Sequence, residues 1–115
     1  MEQKRKLIFF RNYFKEFFEP LKEKVKDKID YVLFLVVSAE RIPKKFFQYM
    51  DGTDGLFEIR IEFESNIYRV FCCFDEGNLV VLFNGFQKKS QQTPKKEIEK
   101  AEKLKKEYFD EKESK

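Results

Sequence analysis

Two arginines lie alone in the most apolar part of the chain, and their side chains are suited to binding phosphate. Arg60 and Arg69 are the only basic residues between positions 56 and 85, and they fall within the strand-like runs "LFEIRIEF" and "IYRVFCCF". A guanidinium is always charged and can donate two parallel hydrogen bonds to a phosphodiester. Neighbouring strands could bring both groups onto one concave face of a sheet, but alternation alone leaves the hairpin register open.

A plainer interpretation of the same arginines is structural. Each could pair across the strands with an acidic neighbour, for which the candidates are Glu58, Glu62 and Glu64. Arg69 alternates in phase with Phe71, so we expect it to emerge through a partly buried surface. The spacing of the residues leaves both interpretations open.

A basic segment, "FQKKSQQTPKK", follows these strands at residues 86–96, with four lysines and no acid. Lys95 and Lys96 are predicted to lie in the first turn of a helix, where the helix dipole favours anions over cations. A helix N-terminus with cations nearby is a good phosphate site, and Lys88 and Lys89 come just before it. The alternative is a solvated basic loop.

Composition excludes several kinds of chemistry. The chain has no histidine, which rules out a Ser-His-Asp triad and His-ligated zinc. Cys72 and Cys73 are adjacent and point to opposite faces of a strand, so we interpret them as core residues. No metal or cofactor is expected. Any catalysis must therefore use arginine, lysine, tyrosine or carboxylate side chains.

Length and hydropathy indicate one domain over residues 1–115, with 42% hydrophobic residues that include fifteen Phe. The net charge of +3 is too small to indicate nucleic-acid binding by itself. The apolar run at 31–37 is far shorter than the roughly 18–20 residues of a membrane span, and no secretory signal is recognised. We therefore expect a cytoplasmic protein without membrane contact.

Periodicity predicts an α+β fold in the order β-α-α-β-β-β-α. A strand over Lys4–Phe10 and a helical turn at 12–18 precede a helix over Pro20–Ala39, whose lysines at 22, 24, 26 and 28 we place on a solvated face. Residues 40–55 are expected to form a linker. An antiparallel meander follows over Leu56–Phe63, Ile67–Phe74 and Leu79–Phe86, with the last strand central. Thr93 and Pro94 are expected to open a final helix that frays beyond Phe109.

Three motifs in this order resemble the RelE/ParE toxin superfamily in its HigB-like, phage-derived branch. They are "GTDGLFEIR", "NIYRVF" and "LVVLFNGFQKKSQQTPKKEIEKA", and they span residues 52–101. The resemblance implies a bacterial type II toxin with a compact α+β domain, in which helices pack on a twisted antiparallel sheet. It also implies cleavage of mRNA on the ribosome, neutralisation by a helix-turn-helix antitoxin, and contact with operator DNA only through the antitoxin complex.

By motif match, the resemblance gives Arg60 and Arg69 the role of holding the scissile phosphate. Lys88 and Lys89 would add charge at the transition state or bind ribosomal RNA. Lys95 and Lys96, in the first turn of the predicted helix, are further candidates for RNA binding. Glu58, one strand repeat from Arg60, is the candidate base. Cleavage by the mRNA's own 2′-hydroxyl depends mainly on positioning and electrostatic stabilisation, so the missing histidine is no obstacle.

The chain departs from the best-known RelE toxins at two points. Those toxins have a basic residue at the position of Glu58 and a tyrosine near their last element, for which Tyr68 and Tyr108 are the candidates here. A non-catalytic, toxin-like protein that acts with its antitoxin in operon repression is therefore the alternative function. A gyrase poison, as on the ParE side of the superfamily, is a third.

Overall fold

The computed structural model describes residues 3–89 and 92–114. Within them, the elements follow in the order β1 (Lys6–Phe9), α1 (Tyr13–Phe18), α2 (Glu23–Ser38), β2 (Phe47–Tyr49), β3 (Phe57–Phe63), β4 (Asn66–Asp75), β5 (Leu79–Lys88) and α3 (Lys95–Glu113). The predicted α+β class is confirmed. No helix in the described part of the chain has the length and apolar character needed to cross a membrane.

The strands form one five-stranded sheet in the order β1-β5-β4-β3-β2. The predicted meander of β3, β4 and β5 is antiparallel, but β1 pairs with β5 in parallel, so the sheet is mixed rather than antiparallel. A parallel pair is possible because two helices and three strands separate β1 from β5 in sequence. β5 is flanked on both sides, as its apolar sequence predicts, although β4 takes the middle position.

Helices cover both faces of this sheet. One core lies between α1, α2 and the sheet, and its fully buried members include Ile29, Val32, Val36, Ile59, Ile61, Val70, Val80 and Leu82. A second core lies under α3, with Leu56, Phe71, Cys73, Val81, Phe83, Ala101 and Leu104. Alternation in "LFEIRIEF" predicts one face with Phe57, Ile59, Ile61 and Phe63 and another with Glu58, Arg60 and Glu62. The structure confirms this separation, since the four apolar residues belong to or pack against the core under α1 and α2.

Three expectations, about β2 and the starts of α2 and α3, are wrong. The predicted linker contains a strand, β2, which pairs with β3 from Phe47 to Tyr49. α2 begins at Glu23 rather than at Pro20, because residues 19–21 form a turn that separates it from α1. α3 begins at Lys95 with Pro94 as its N-cap, and Thr93 provides no side-chain cap.

The end of α3 also differs from the expectation, because the helix continues past Phe109 to Glu113. Its last turn is anchored on Asp75 of β4, a side chain that is only 7% exposed. Tyr108 Oη donates to Asp75 Oδ2 at 2.7 Å, and Lys112 Nζ lies 2.9 Å from both carboxylate oxygens. Lys112 and Tyr108 together lower the pKa of Asp75.

Asp75→Asn is therefore expected to destabilise the fold in a pH-dependent way. Because the native pKa of Asp75 lies below the unfolded value of about 3.9, its stabilisation is present above that pH and lost as pH falls through the native pKa. Urea unfolding should show a lower midpoint for the variant than for wild type at pH 7, with a smaller difference at pH 3. Asp110→Asn, which alters an exposed pair within α3, is the control and should change the midpoint little. A constant difference from pH 7 to 3 would contradict this role of Asp75.

Candidate active site

The hairpin of β3 and β4 places the two arginines directly opposite each other. Its turn residues, Glu64 and Ser65, both adopt left-handed backbone conformations with φ of 49° and 69°. The register that follows from this turn pairs Arg60 with Arg69. The sequence left this register open, and the structure brings both guanidinium groups to the same face.

The arginine pair is unfavourable as sheet structure alone. The amide of Arg60 donates to Phe46 O of the neighbouring segment at 2.8 Å, on the side away from β4. Arg60 and Arg69 therefore form a non-hydrogen-bonded pair, the closer of the two antiparallel types, with Cα atoms about 4.5 Å apart. Like charges directly opposite each other destabilise a sheet, so this position requires a counter-ion or a ligand.

Glu58 supplies the counter-ion. Its Oε1 lies 3.3 Å from Arg60 Nε and 3.6 Å from Arg69 Nε, and its side chain is 12% exposed. Pairing of the arginines with a strand carboxylate, the plainer of the two sequence interpretations, is thus present. Among the described residues, Glu58 alone of the three acidic candidates pairs with them; Glu62 and Glu64 form no ion pair there.

Arg69 is fully buried rather than partly buried, with 1% of its surface exposed. Its Nη1 donates to Tyr68 O at 3.1 Å, whereas Arg69 Nε and Glu58 Oε2 have no hydrogen-bond partner within the described chain. Burial lowers the pKa of Arg69, the charge of Arg60 lowers it further, and Glu58 and Glu62 partly offset both effects. A buried donor and acceptor without protein partners are uncommon, and both atoms can bond to a ligand or to water.

Lys88 lies on the same sheet face as the arginines. It pairs with Ile67, which pairs with Glu62, so these three residues form the row next to the arginine pair. Adjacent rows on one face are about 7 Å apart, within reach of a lysine side chain. Lys88 is half-buried, and Lys89, just past the strand end, is exposed.

The N-terminus of α3 is anchored beside this region by Asn84 of β5. Asn84 Nδ2 donates to Glu97 O at 3.3 Å and to Glu97 Oε1 at 3.1 Å. Lys95 and Lys96 occupy the first turn of α3, as predicted, and both are exposed. Ser90 and Gln91 of the basic segment lie outside the described residues.

The two candidate tyrosines lie away from the arginine pair. Tyr68 is buried on the opposite face of the sheet, with its ring centre 6.4 Å from that of Phe17. Tyr108 binds Asp75 at the far end of α3, and burial followed by that hydrogen bond raises its pKa to about 12. Neither of them can stand in for a tyrosine beside the arginines.

The cysteines have the character of core residues. Cys72 and Cys73 are both buried free thiols. Burial raises the pKa of Cys72 well above its ordinary value and that of Cys73 to about 11. Such thiols are poor nucleophiles at neutral pH.

Sequence analysis missed two lysines that lie beside Arg60. Lys28, placed on a solvated helix face, is half-buried, and it lines a cleft together with Lys45 and Arg60. No local sequence pattern connects Lys28, Lys45 and Arg60, because the three residues are far apart along the chain. β2, which carries the Lys45 segment to the edge of β3, is only three residues long.

The arrangement suits an anionic ligand with several phosphate groups. Two arginines, Arg69 buried and Arg60 half-buried, share a sheet face with Lys88. Two further lysines lie at the edge of β3. In the described part of the chain, no cluster of three or more acidic or cysteine side chains could hold a metal ion. The groups that are present can position and neutralise a phosphodiester.

Fold and site together define a compact α+β domain with a cationic sheet face. The family model of phage-derived Gp49-like proteins (DUF891) matches residues 16–106, so the chain belongs to that family. The family is known as one of RelE/ParE-like toxins, which agrees with the superfamily resemblance. A search of curated proteins finds no match.

Proposed function

We propose that this protein is the HigB-like toxin of a type II toxin–antitoxin pair and cuts mRNA on the ribosome. One observation carries the proposal most directly: Arg60 and Arg69 are paired across two strands and converge on a single carboxylate. Membership of a RelE/ParE-like toxin family supports the same function.

In the proposed reaction, the mRNA supplies its own nucleophile. The 2′-oxygen forms a bond to the adjacent phosphorus and the bond to the 5′-oxygen breaks, which leaves a cyclic phosphate and a 5′-hydroxyl. Arg60 and Arg69 neutralise the charge that grows on the phosphate oxygens. The leaving 5′-oxygen takes a proton from solvent.

Glu58 is the proposed acceptor of the 2′-hydroxyl proton. In the free protein its Oε1 is shared by the two arginines. A bound phosphate competes for the same guanidinium groups, which weakens their hold on the carboxylate and makes it available as a base. The ion pair therefore keeps the arginines in place until the substrate arrives.

The lysines of the basic segment are proposed to hold RNA rather than to react. Lys88 lies in the row next to the arginine pair and adds positive charge at the transition state. Lys89, Lys95 and Lys96 are exposed and bind the backbone of mRNA or ribosomal RNA.

The proposed partners follow from this function. A helix-turn-helix antitoxin silences the toxin, and the complex reaches operator DNA only through the antitoxin. The ribosome and mRNA are the targets, in the bacterial cytoplasm.

The test is primer extension on mRNA in a cell-free translation reaction, with purified protein added with and without ribosomes. We expect cuts that require ribosomes and disappear with Arg60→Ala. Unfolding curves of both proteins verify that the variant is folded. Ribosome-independent cuts, or equal cutting by the variant, would contradict the proposal.

A second candidate function is a toxin-like binding protein without nuclease activity. Two observations favour it: Glu58 already offsets part of the charge of the arginine pair, and the side chains of Tyr68 and Tyr108 both lie away from the pair. In that case the folded protein would bind its antitoxin tightly and leave mRNA uncut under every condition tested.

A further inference from the structure

A cleft at the outer edge of β3 lies beside the arginine pair. It is lined by Lys28, Lys45, Phe46, Arg60 and Glu62 and has a volume of about 280 Å³. It forms because β2 pairs with β3 only from Phe57 to Ile59, which leaves the edge open beyond the Phe46 contact with Arg60. Lys28 reaches it from α2.

Three cationic side chains line this cleft against one carboxylate, that of Glu62. Neither Lys28 nor Lys45 forms an ion pair with any carboxylate of the described chain. Instead, both ammonium groups lie near the ring of Phe46, at 5.8 Å and 4.9 Å from its centre. Cation–π contacts hold these lysines in place without neutralising them.

The wall of the cleft is fixed by the backbone. The amide of Phe46 donates to Pro43 O at 2.9 Å, and its carbonyl accepts from the Arg60 amide at 2.8 Å. The Phe46 ring is 9% exposed and contacts the core under α2. The ring against which both lysines lie is therefore in place before any ligand arrives.

Arg60 connects the cleft to the proposed site of cleavage. Its Nε faces Glu58, whereas its two Nη groups have no hydrogen-bond acceptor among the described residues. Those groups can donate to a phosphate oxygen from the cleft side. A single guanidinium thus belongs both to the arginine pair and to the lining of the cleft.

We propose that this cleft binds a second backbone phosphate of the same single-stranded RNA, held by Lys28, Lys45 and Arg60. This assignment deepens the proposed function and rests on it only for the identity of the polymer as RNA. It makes Lys28 and Lys45 RNA-binding residues and extends the RNA path from the arginine pair around the edge of β3.

The experiment measures binding of a short labelled single-stranded RNA to the full chain, without ribosomes, over a range of salt concentrations. Lys28→Ala and Lys45→Ala should each weaken binding several-fold and reduce the slope of log K against log salt, and the double variant should reduce it by about 0.7, the value for one phosphate contact on a single strand. Lys44→Ala and Lys103→Ala remove the same charge from exposed positions outside the cleft and should leave the slope unchanged.

Three results would overturn the assignment. Two are no RNA binding by wild type at low salt and equal slopes for cleft and control variants. The third is release of the RNA when inorganic phosphate is added at the same concentration as the phosphate groups of the RNA. The binding and cleavage measurements together distinguish failure of the cleft assignment from failure of the nuclease proposal. A chain that leaves mRNA uncut on ribosomes but shows the expected slope changes refutes the nuclease and supports the cleft. Cleft variants that bind RNA as wild type does, in a chain that cuts mRNA, refute the cleft alone.

Discussion

Arg60→Ala is expected to reduce ribosome-dependent cleavage about 100- to 1,000-fold while the protein stays folded. That range is typical for removal of one donor that stabilises charge in a transition state. The Arg60 side chain is 27% exposed, and its removal still leaves Glu58 paired with Arg69, so the cost in stability should be about 1 kcal/mol or less. Primer extension at saturating ribosomes measures the rate, and urea unfolding measures the stability.

Arg60→Lys is the matched variant for this prediction. It keeps the charge but loses the planar group that can bind two phosphate oxygens at once, so we expect activity between those of wild type and Arg60→Ala. Full activity of Arg60→Ala in a folded sample would remove Arg60 from the site.

Arg69→Ala is a poorer probe of chemistry because Arg69 is buried. Its removal leaves a cavity and a carboxylate, Glu58, that keeps only Arg60 as a partner. Breaking a buried ion pair in this way costs about 3–5 kcal/mol, a large fraction of the stability of a small domain. Loss of activity in this variant therefore has to be read against its unfolding curve.

The contrast between these two arginines shows what the sequence could predict. Alternation in "LFEIRIEF" correctly placed Arg60 on the face opposite Ile59. Register depends on a turn whose two residues, Glu64 and Ser65, take left-handed conformations that neither residue type signals strongly. The direct Arg60–Arg69 pairing therefore could not be predicted from alternation alone.

The burial of Arg69 and the position of β2 also could not be predicted from the sequence. Arg69 is buried in the middle strand of the sheet, and the sequence did not identify that strand. β2 is three residues long and lies after Pro43, where composition indicates a linker. The Lys28 and Lys45 cleft depends on β2, so it was missed for the same reason.

Two helix boundaries differ from what the local sequence signals predict. Pro20 was expected at a helix start, but it lies in the turn between α1 and α2. The polar end of α3 was expected to fray because it has little to bury. It is instead held by Tyr108 and Lys112 on Asp75, a contact between residues more than 30 positions apart that no local pattern reveals.

Glu58→Gln is expected to have opposite effects on cleavage and on binding. If Glu58 accepts the 2′-hydroxyl proton, its loss should slow cleavage about 100-fold or more. Removal of its negative charge should at the same time raise affinity for RNA, because both arginines lose a competing anion. Single-turnover cleavage and RNA binding, measured on the same samples, separate the two effects.

Glu62→Gln is the control for charge, since Glu62 lies on the same face of β3 but forms no ion pair with a described residue. It should raise RNA affinity modestly and leave the cleavage rate close to that of wild type. Glu58→Asp keeps a carboxylate one methylene shorter and should retain part of the activity. Glu58→Gln leaves Arg69 without its buried partner and is expected to lower the stability of the fold. Urea unfolding therefore identifies a temperature at which every variant is folded, and cleavage and RNA binding are compared at that temperature.

The result of this series decides between the two functions proposed for the site. Slow cleavage with tighter binding in Glu58→Gln identifies the carboxylate as the base of a nuclease. Faster cleavage would show that Glu58 is not the base and acts only as an anion that competes with phosphate for the arginines. Tighter RNA binding, with no cleavage by wild type or any variant, would leave the arginine pair as a phosphate-binding surface, as the toxin-like binding protein requires.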